Sequence, residues 1–173
     1  MKKEIWEIWI DNKQKREKDF LNYLRLNKIK KEIEIKELIE GHLEKADHNL
    51  KAADYNLKGD FNDWAVVSSY YAIYHASLAL CALKGYSTKD YNATLLILIK
   101  EFYLNELNKE EFSIIKKAFI EKEHILYYTE AKSKRQKASY STQKLFDEKE
   151  VEELRKKAVN FVNKVKEIKF QIN

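Results

Sequence analysis

The sequence predicts an all-α protein, an up-and-down antiparallel helical bundle of four main helices with shorter helices at its N-terminal end. Three observations lead there. The 173 residues include no proline and only three glycines, so helices meet few breakers and a sheet would lack its turns. Apolar residues recur at three- and four-residue steps over long stretches. One stretch, Trp64 to Leu83, holds no Asp, Glu, Lys or Arg in a chain that is 35% charged.

That uncharged stretch is the predicted hub. Asp63 supplies an acidic first turn or N-cap, Lys84 a basic last turn, and Gly85 a left-handed stop. On a helical wheel Trp64, Val67, Tyr71, Tyr74, Leu78 and Cys81 form one broad stripe. Ala65, Ala72, Ala76, Ala79 and Leu83 form a second, smaller-residue face, where a neighbouring helix can approach closely. Its length alone would let it cross a membrane. Ser68, Ser69, His75 and Ser77 would each need a partner in lipid, and the alanines lower its hydrophobicity. The expected place is a buried bundle core, with no membrane partner.

The other elements follow in order. Residues 1–30 read as an N-terminal helical extension and 31–173 as the bundle. Within the extension, Trp6 and Trp9 suggest docking on the domain or on a second subunit, because bulky aromatics are rarely left in water. Glu32 to Lys58 is an amphipathic helix with its seam at Ile39, Leu43, Ala46, Leu50, Ala53 and Leu57. His42 and His48 on it do not share a face and are expected to be solvated. Gly59 to Asn62 turns the chain into the hub, and Ser87 or Thr88 is expected to cap the helix after it. That helix runs through Tyr91, Leu95, Leu98, Phe102 and Tyr103, breaks near Asn105 and Asn108, and resumes from Glu110 toward Tyr127 and Tyr128. A last helix, Glu148 to Ile172, keeps strict three-four stepping through Val151, Leu154, Ala158, Phe161, Val165 and Ile168.

Few residues invite chemistry. The single cysteine, Cys81, excludes an intrachain disulfide and reads as a small buried hydrophobe. There is no glycine-rich phosphate loop and no zinc spacing, and Glu121-x-x-His124 occurs once, without the partners of a di-iron bundle. No metal and no cofactor is therefore expected. The first residues lack a signal-peptide pattern, so the expected location is the cytoplasm. His75 reads as a core histidine bonded to a neighbour. The remaining candidate is the stretch from Ala131 to Phe146. It carries Lys132, Lys134, Arg135, Lys137 and Lys144 with no acid, matching the whole net charge of +5. Arg135 has a planar fork suited to phosphate oxygens, and Tyr140 offers a hydroxyl and a stacking face. Basic residues interleaved with aromatics suit single-stranded RNA, and they equally suit a solvated basic loop.

The hub and its flanks resemble the HEPN domain family. The residues that carry the resemblance are Ser69-Tyr70-Tyr71-Ala72-Ile73-Tyr74-His75-Ala76, then Ala79-Leu80 and Gly85-Tyr86. Leu43-Glu44-Lys45-Ala46, Leu50 and Gly59-Asp60-Phe61 precede them. Arg135-Gln136-Lys137-Ala138-Ser139-Tyr140 looks like the Arg-x-x-Ala-x-Tyr element of one branch, and Ala158 with Phe161-Val162 like its last helix. The resemblance covers about Glu37 onward and implies a bundle of four main helices that homodimerises. It also implies metal-independent ribonuclease activity in many members, often as toxins paired with a minimal nucleotidyltransferase.

The family's ribonuclease motif is an arginine followed four to six residues later by a histidine. Arg135 matches the arginine, but Tyr140 stands five positions on. Tyrosine, with an ordinary pKa of about 10, is a poor base at neutral pH. Two classes of function are thus expected. One is a dimeric RNA- or nucleotide-binding partner of a minimal nucleotidyltransferase, without the full ribonuclease motif. In it Lys132, Lys134, Arg135, Lys137 and Tyr140 form the binding surface, and Tyr140 is a hydroxyl that the nucleotidyltransferase could modify. The other is a metal-independent ribonuclease toxin with Arg135 and Tyr140 as catalytic residues.

Overall fold

The uncharged run closes into one helix, Asn62–Leu83, and the other elements are arranged about it. A computed structural model of the chain describes residues 3–33, 35–119 and 146–172. In chain order the elements are α1 (Ile5–Asp11), α2 (Lys13–Arg25), β1 (Lys30–Lys31), α3 (Ile35–Lys58) and α4 (Asn62–Leu83). They continue with β2 (Tyr86–Ser87), α5 (Tyr91–Phe102), α6 (109–119) and α7 (Glu148–Ile172). The all-α bundle expected from the sequence is the architecture found.

α4 is buried along most of its length, packed against α3, α7 and α5. Ala65, Ala72, Ala76 and Ala79 have essentially no exposed surface. Its serines solve the polar-group problem locally. Ser68, Ser69 and Ser77 donate to the carbonyls of Trp64, Ala65 and Ile73, one turn back on the same helix, at 2.8–2.9 Å. The helix is long and apolar enough to cross a membrane by composition, and 83% of its most apolar window lies inside the domain.

The chain turns into α4 just after Gly59. A Cβ on Gly59 would lie 2.8 Å from the ring of Phe61, which folds back over it. The chain leaves α4 at Gly85, whose φ of +76° is the left-handed stop the sequence indicated. The cap of α5 differs from expectation. Asp90 takes that role, its carboxylate accepting from the Ala93 amide at 2.9 Å. Thr88 instead accepts from the Asp90 amide and shapes the approach. The carboxylate accepts without first having to orient a proton, and it sits one residue before the first turn. α6 and α7 start on reciprocal capping boxes, Asn108 with Glu111 and Asp147 with Glu150.

α3 lies antiparallel to both α4 and α7. Its acids at seven-residue spacing form rungs to α7: Asp54 with Arg155, Asp47 with Lys166 at 2.7 Å, and Glu40 with Lys169. These pairs are partly solvated, so each adds at most about 1 kcal/mol. Their larger effect is to fix register.

The N-terminal segment docks on its own domain. Trp9 is buried in the main core, its indole N–H donating to Asp19 at 2.8 Å, while Arg16 donates to the Trp9 carbonyl. α1 and α2 rest on α5, Lys100 pairs with Glu17, and Lys116 pairs with Glu4. A two-residue antiparallel ladder that the sequence did not suggest, Lys30 opposite Ser87 and Lys31 opposite Tyr86, ties the segment down.

Two stability measurements follow. Leu80→Ala, at a fully buried position, is expected to lower unfolding free energy by about 2–5 kcal/mol in urea titration. Trp9→Ala is expected to lower it by about 3–5 kcal/mol; a loss under about 1 kcal/mol would mean the segment is only loosely attached.

A candidate site along the seam between α3 and α4

The inner faces of α3 and α4 meet in the core, and beside that contact their flanks meet along a half-buried seam. Two cross-links mark it. His42 of α3 and His75 of α4 bring their Nδ1 atoms to 3.3 Å, and further along, Asn56 of α3 reaches Ser68 of α4 at 3.5 Å. His42 and Asn56 are fourteen residues apart, four turns of one helix flank. The same flank of α3 carries Leu38, Lys45, Asn49 and Ala52, and the facing stripe of α4 carries Trp64, Ser68, Tyr71 and His75.

The two imidazoles face each other through their Nδ1 atoms, within hydrogen-bond distance. Their ring centroids are 5.5 Å apart and their nitrogens 3.3 Å apart, so the nitrogens point nearly at one another. One Nδ1 carries the hydrogen and donates, and the other accepts with its lone pair. Doubly protonated, the pair would lose that bond and gain a repulsion. Burial holds the His42 pKa below the ordinary imidazole value, and the nearby Lys45 ammonium pushes it the same way.

Aromatic rings surround the pair. Tyr71 lies near-parallel to His75, and Tyr74 meets it edge-on at 5.4 Å. The Tyr74 ring in turn packs on Phe119, the last described residue of α6, at 5.0 Å, and Tyr91 packs on Phe119 at 4.7 Å. The Tyr91 hydroxyl is buried with no hydrogen-bond partner among the described residues, and burial raises its pKa. At the other end of the helix, Asn62 donates to the Phe146 carbonyl at 3.1 Å. The chain on either side of 120–145 is thus anchored at two points along α4.

The sequence-derived candidates Lys132, Lys134, Arg135, Lys137 and Tyr140 lie outside the described residues, as do His124, Tyr127 and Tyr128. Of the histidines that are described, His48 is exposed, in keeping with the sequence. His75 is half-buried and bonded to a neighbour, as its place in the hub indicated. His42 is a correction: it is half-buried against His75 rather than solvated. The reason is geometric. His42 lies seventeen residues before Gly59 and His75 sixteen after it, so an antiparallel hairpin about that turn brings them level. Trp64 is the second correction. It is 51% exposed, at the rim of the stripe rather than in the core. Cys81 is fully buried and its thiol pKa is pushed up by desolvation, which leaves it unreactive. Among the described residues no three His, Cys, Asp or Glu side chains gather as a metal site would require.

A helical bundle with a tyrosine- and histidine-bearing hub, reached by α3 through a glycine turn, defines a class, and sequence comparison agrees. The HEPN domain profile matches residues 39–168, and the chain belongs to that family. Two relatives come from Methanocaldococcus jannaschii. "Putative toxin MJ0142" is 31% identical over 110 residues, spanning 63% of this chain and 75% of that protein. "Putative toxin MJ0605" is 29% identical over 133 residues, spanning 77% of this chain and 90% of that protein.

The lowered His42 pKa gives stability a pH dependence with a definite sign. An unfolded histidine titrates near pH 6.5, so as pH falls the unfolded state takes up its proton first. The contribution of neutral His42 is full above about pH 6.5 and fades as pH drops through the lower folded value. Thermal melts from about pH 7.5 down to about pH 5 should show a shallower decline for His42→Asn than for wild type. Parallel declines would remove His42 as the cause.

Proposed function

We propose that this chain is the toxin-side member of a two-component system, a cytoplasmic HEPN homodimer that binds RNA or a nucleotide and is restrained by a minimal nucleotidyltransferase. The observation that carries the reading is the acid-free stretch from Ala131 to Phe146, five cations with Tyr140 among them, in a chain of this family. Phosphate is the ligand chemistry that such a stretch suits: Arg135 offers a bidentate fork, and Lys132, Lys134 and Lys137 add point charges. Tyr140 supplies a stacking face, and its hydroxyl is the group a nucleotidyltransferase would modify. Two relatives named as toxins support the toxin side of the pair.

Those names also favour a second reading, metal-independent RNA cleavage. The RNA 2′-hydroxyl would give up its proton to water and attack the adjacent phosphorus. The 5′-oxygen would leave with a proton, giving a 2′,3′-cyclic phosphate and a free 5′-hydroxyl. Arg135 would stabilise the charge on phosphorus. Tyr140 would orient or donate rather than act as base, because its ordinary pKa lies near 10.

One assay separates the readings: mixed-sequence single-stranded RNA incubated in EDTA with wild type, Arg135→Ala and Tyr140→Phe. The binding reading expects retained, uncleaved RNA whose affinity falls about tenfold in Arg135→Ala, the loss of one charge-assisted phosphate contact. Cleavage by wild type that disappears in Arg135→Ala would establish the ribonuclease. Neither binding nor cleavage of RNA at high protein concentration would overturn the ribonuclease reading and the RNA half of the binding reading, and titration with a nucleotide then decides the other half.

A further inference from the structure

The ladder that ties the N-terminal segment to the bundle also frames a cavity of about 600 Å³. One wall comes from residues 27–32, between α2 and α3, and the other from residues 87–90, at the approach to α5. Small-molecule sites run from roughly 300 to 1,000 Å³, so the volume fits one. Register sets the arrangement: Lys30 stands opposite Ser87, and strand alternation puts Glu32 on the same face as Lys30.

The lining divides into engaged and unengaged groups. Asp90 pairs with Lys28 at 3.1 Å and caps α5 through the Ala93 amide. Glu32 accepts from the Ser87 hydroxyl, and the Thr88 hydroxyl accepts from the Asp90 amide. Lys30, Lys89 and the Asn27 side-chain amide remain. All three are exposed, and none has a side-chain partner among the described residues. No aromatic or apolar residue is among the described residues of the lining.

We propose that this cavity binds a small hydrophilic phosphate ester of the sugar-phosphate class. Lys30 and Lys89 have no counter-ion, and their ammonium groups suit phosphate oxygens as point charges. The Asn27 amide and the second oxygen of Glu32 offer a donor and an acceptor to hydroxyl groups. A nucleobase would find no ring to stack on, and a divalent cation would need carboxylates that are already engaged. One cation stands on each wall, so the ligand would pin the N-terminal segment against the bundle. The site stands whether or not the chain binds RNA.

The test is calorimetric titration of the full chain with ribose 5-phosphate, ribose, inorganic phosphate and adenosine monophosphate, at an ionic strength of about 0.15 M. Ribose 5-phosphate should bind saturably and several-fold tighter than inorganic phosphate, and ribose should not bind. Adenosine monophosphate should bind no tighter than the sugar phosphate. Lys30→Gln and Lys89→Gln should each weaken binding about tenfold, the loss of one charge-assisted contact. Lys51→Gln, an exposed cation of α3 outside the cavity, should stay within about twofold. Ribose 5-phosphate should also raise the melting temperature of wild type and Lys51→Gln, and raise it less in the two cavity variants. No saturation by ribose 5-phosphate, or equal affinity in wild type and both cavity variants, would overturn the site. Inorganic phosphate as tight as the sugar phosphate, or adenosine monophosphate much tighter, would overturn the ligand class.

Discussion

Everything in this fold depends on how α4 is made tolerable to its surroundings on nearly every side. A helix packed by α3, α7 and α5 can present neither charge nor unsatisfied hydroxyl to them. The uncharged composition meets the first condition. The i−4 bonds of Ser68, Ser69 and Ser77 meet the second. Alanines on the packed face let neighbouring backbones come close, so dispersion is gathered over many small contacts rather than a few large side chains. Larger residues at Ala72 or Ala76, which have no exposed surface, would separate α4 from its neighbours.

Much of this could be read before the structure. The last helix was legible to the residue, Glu148 to Ile172, because its stepping is strict and it begins beside Asp147 and Glu150. The Gly85 stop was legible because a left-handed φ nearly demands glycine. The short ladder between Lys30–Lys31 and Tyr86–Ser87 was not, since two-residue strands leave no periodic trace. The α5 cap is not legible in the sequence, because Ser87, Thr88 and Asp90 are all good cap types within four residues and only geometry selects among them. A helical wheel shows which residues share a face, not where the core ends, and Trp64 falls beyond that end.

The candidate site was legible in pieces. His75 stood out through its place in the hub, and Tyr71 and Tyr74 through their spacing. His42 did not, because its importance depends on a residue thirty-three positions away. A hairpin register counted outward from Gly59 would have found it. The sorting of α3 charges was likewise present in the seven-residue spacing of Glu40, Asp47 and Asp54, but without α7 beside them those acids look like any solvated face.

The arrangement of the rungs has a temporal side. α3 and α4 are joined by a short turn, so their contacts close small loops and can form while the chain is still being made. Their shared neighbour α7 begins sixty-five positions after α4 ends. Until it emerges, the part of the hairpin that α7 covers is bare and the three α3 acids lack the cations they pair with. Arrival of α7 satisfies both at once, and only an antiparallel approach in one register brings Arg155, Lys166 and Lys169 to their partners. The charge ladder therefore favours one antiparallel register of α7 over a register one turn out of place.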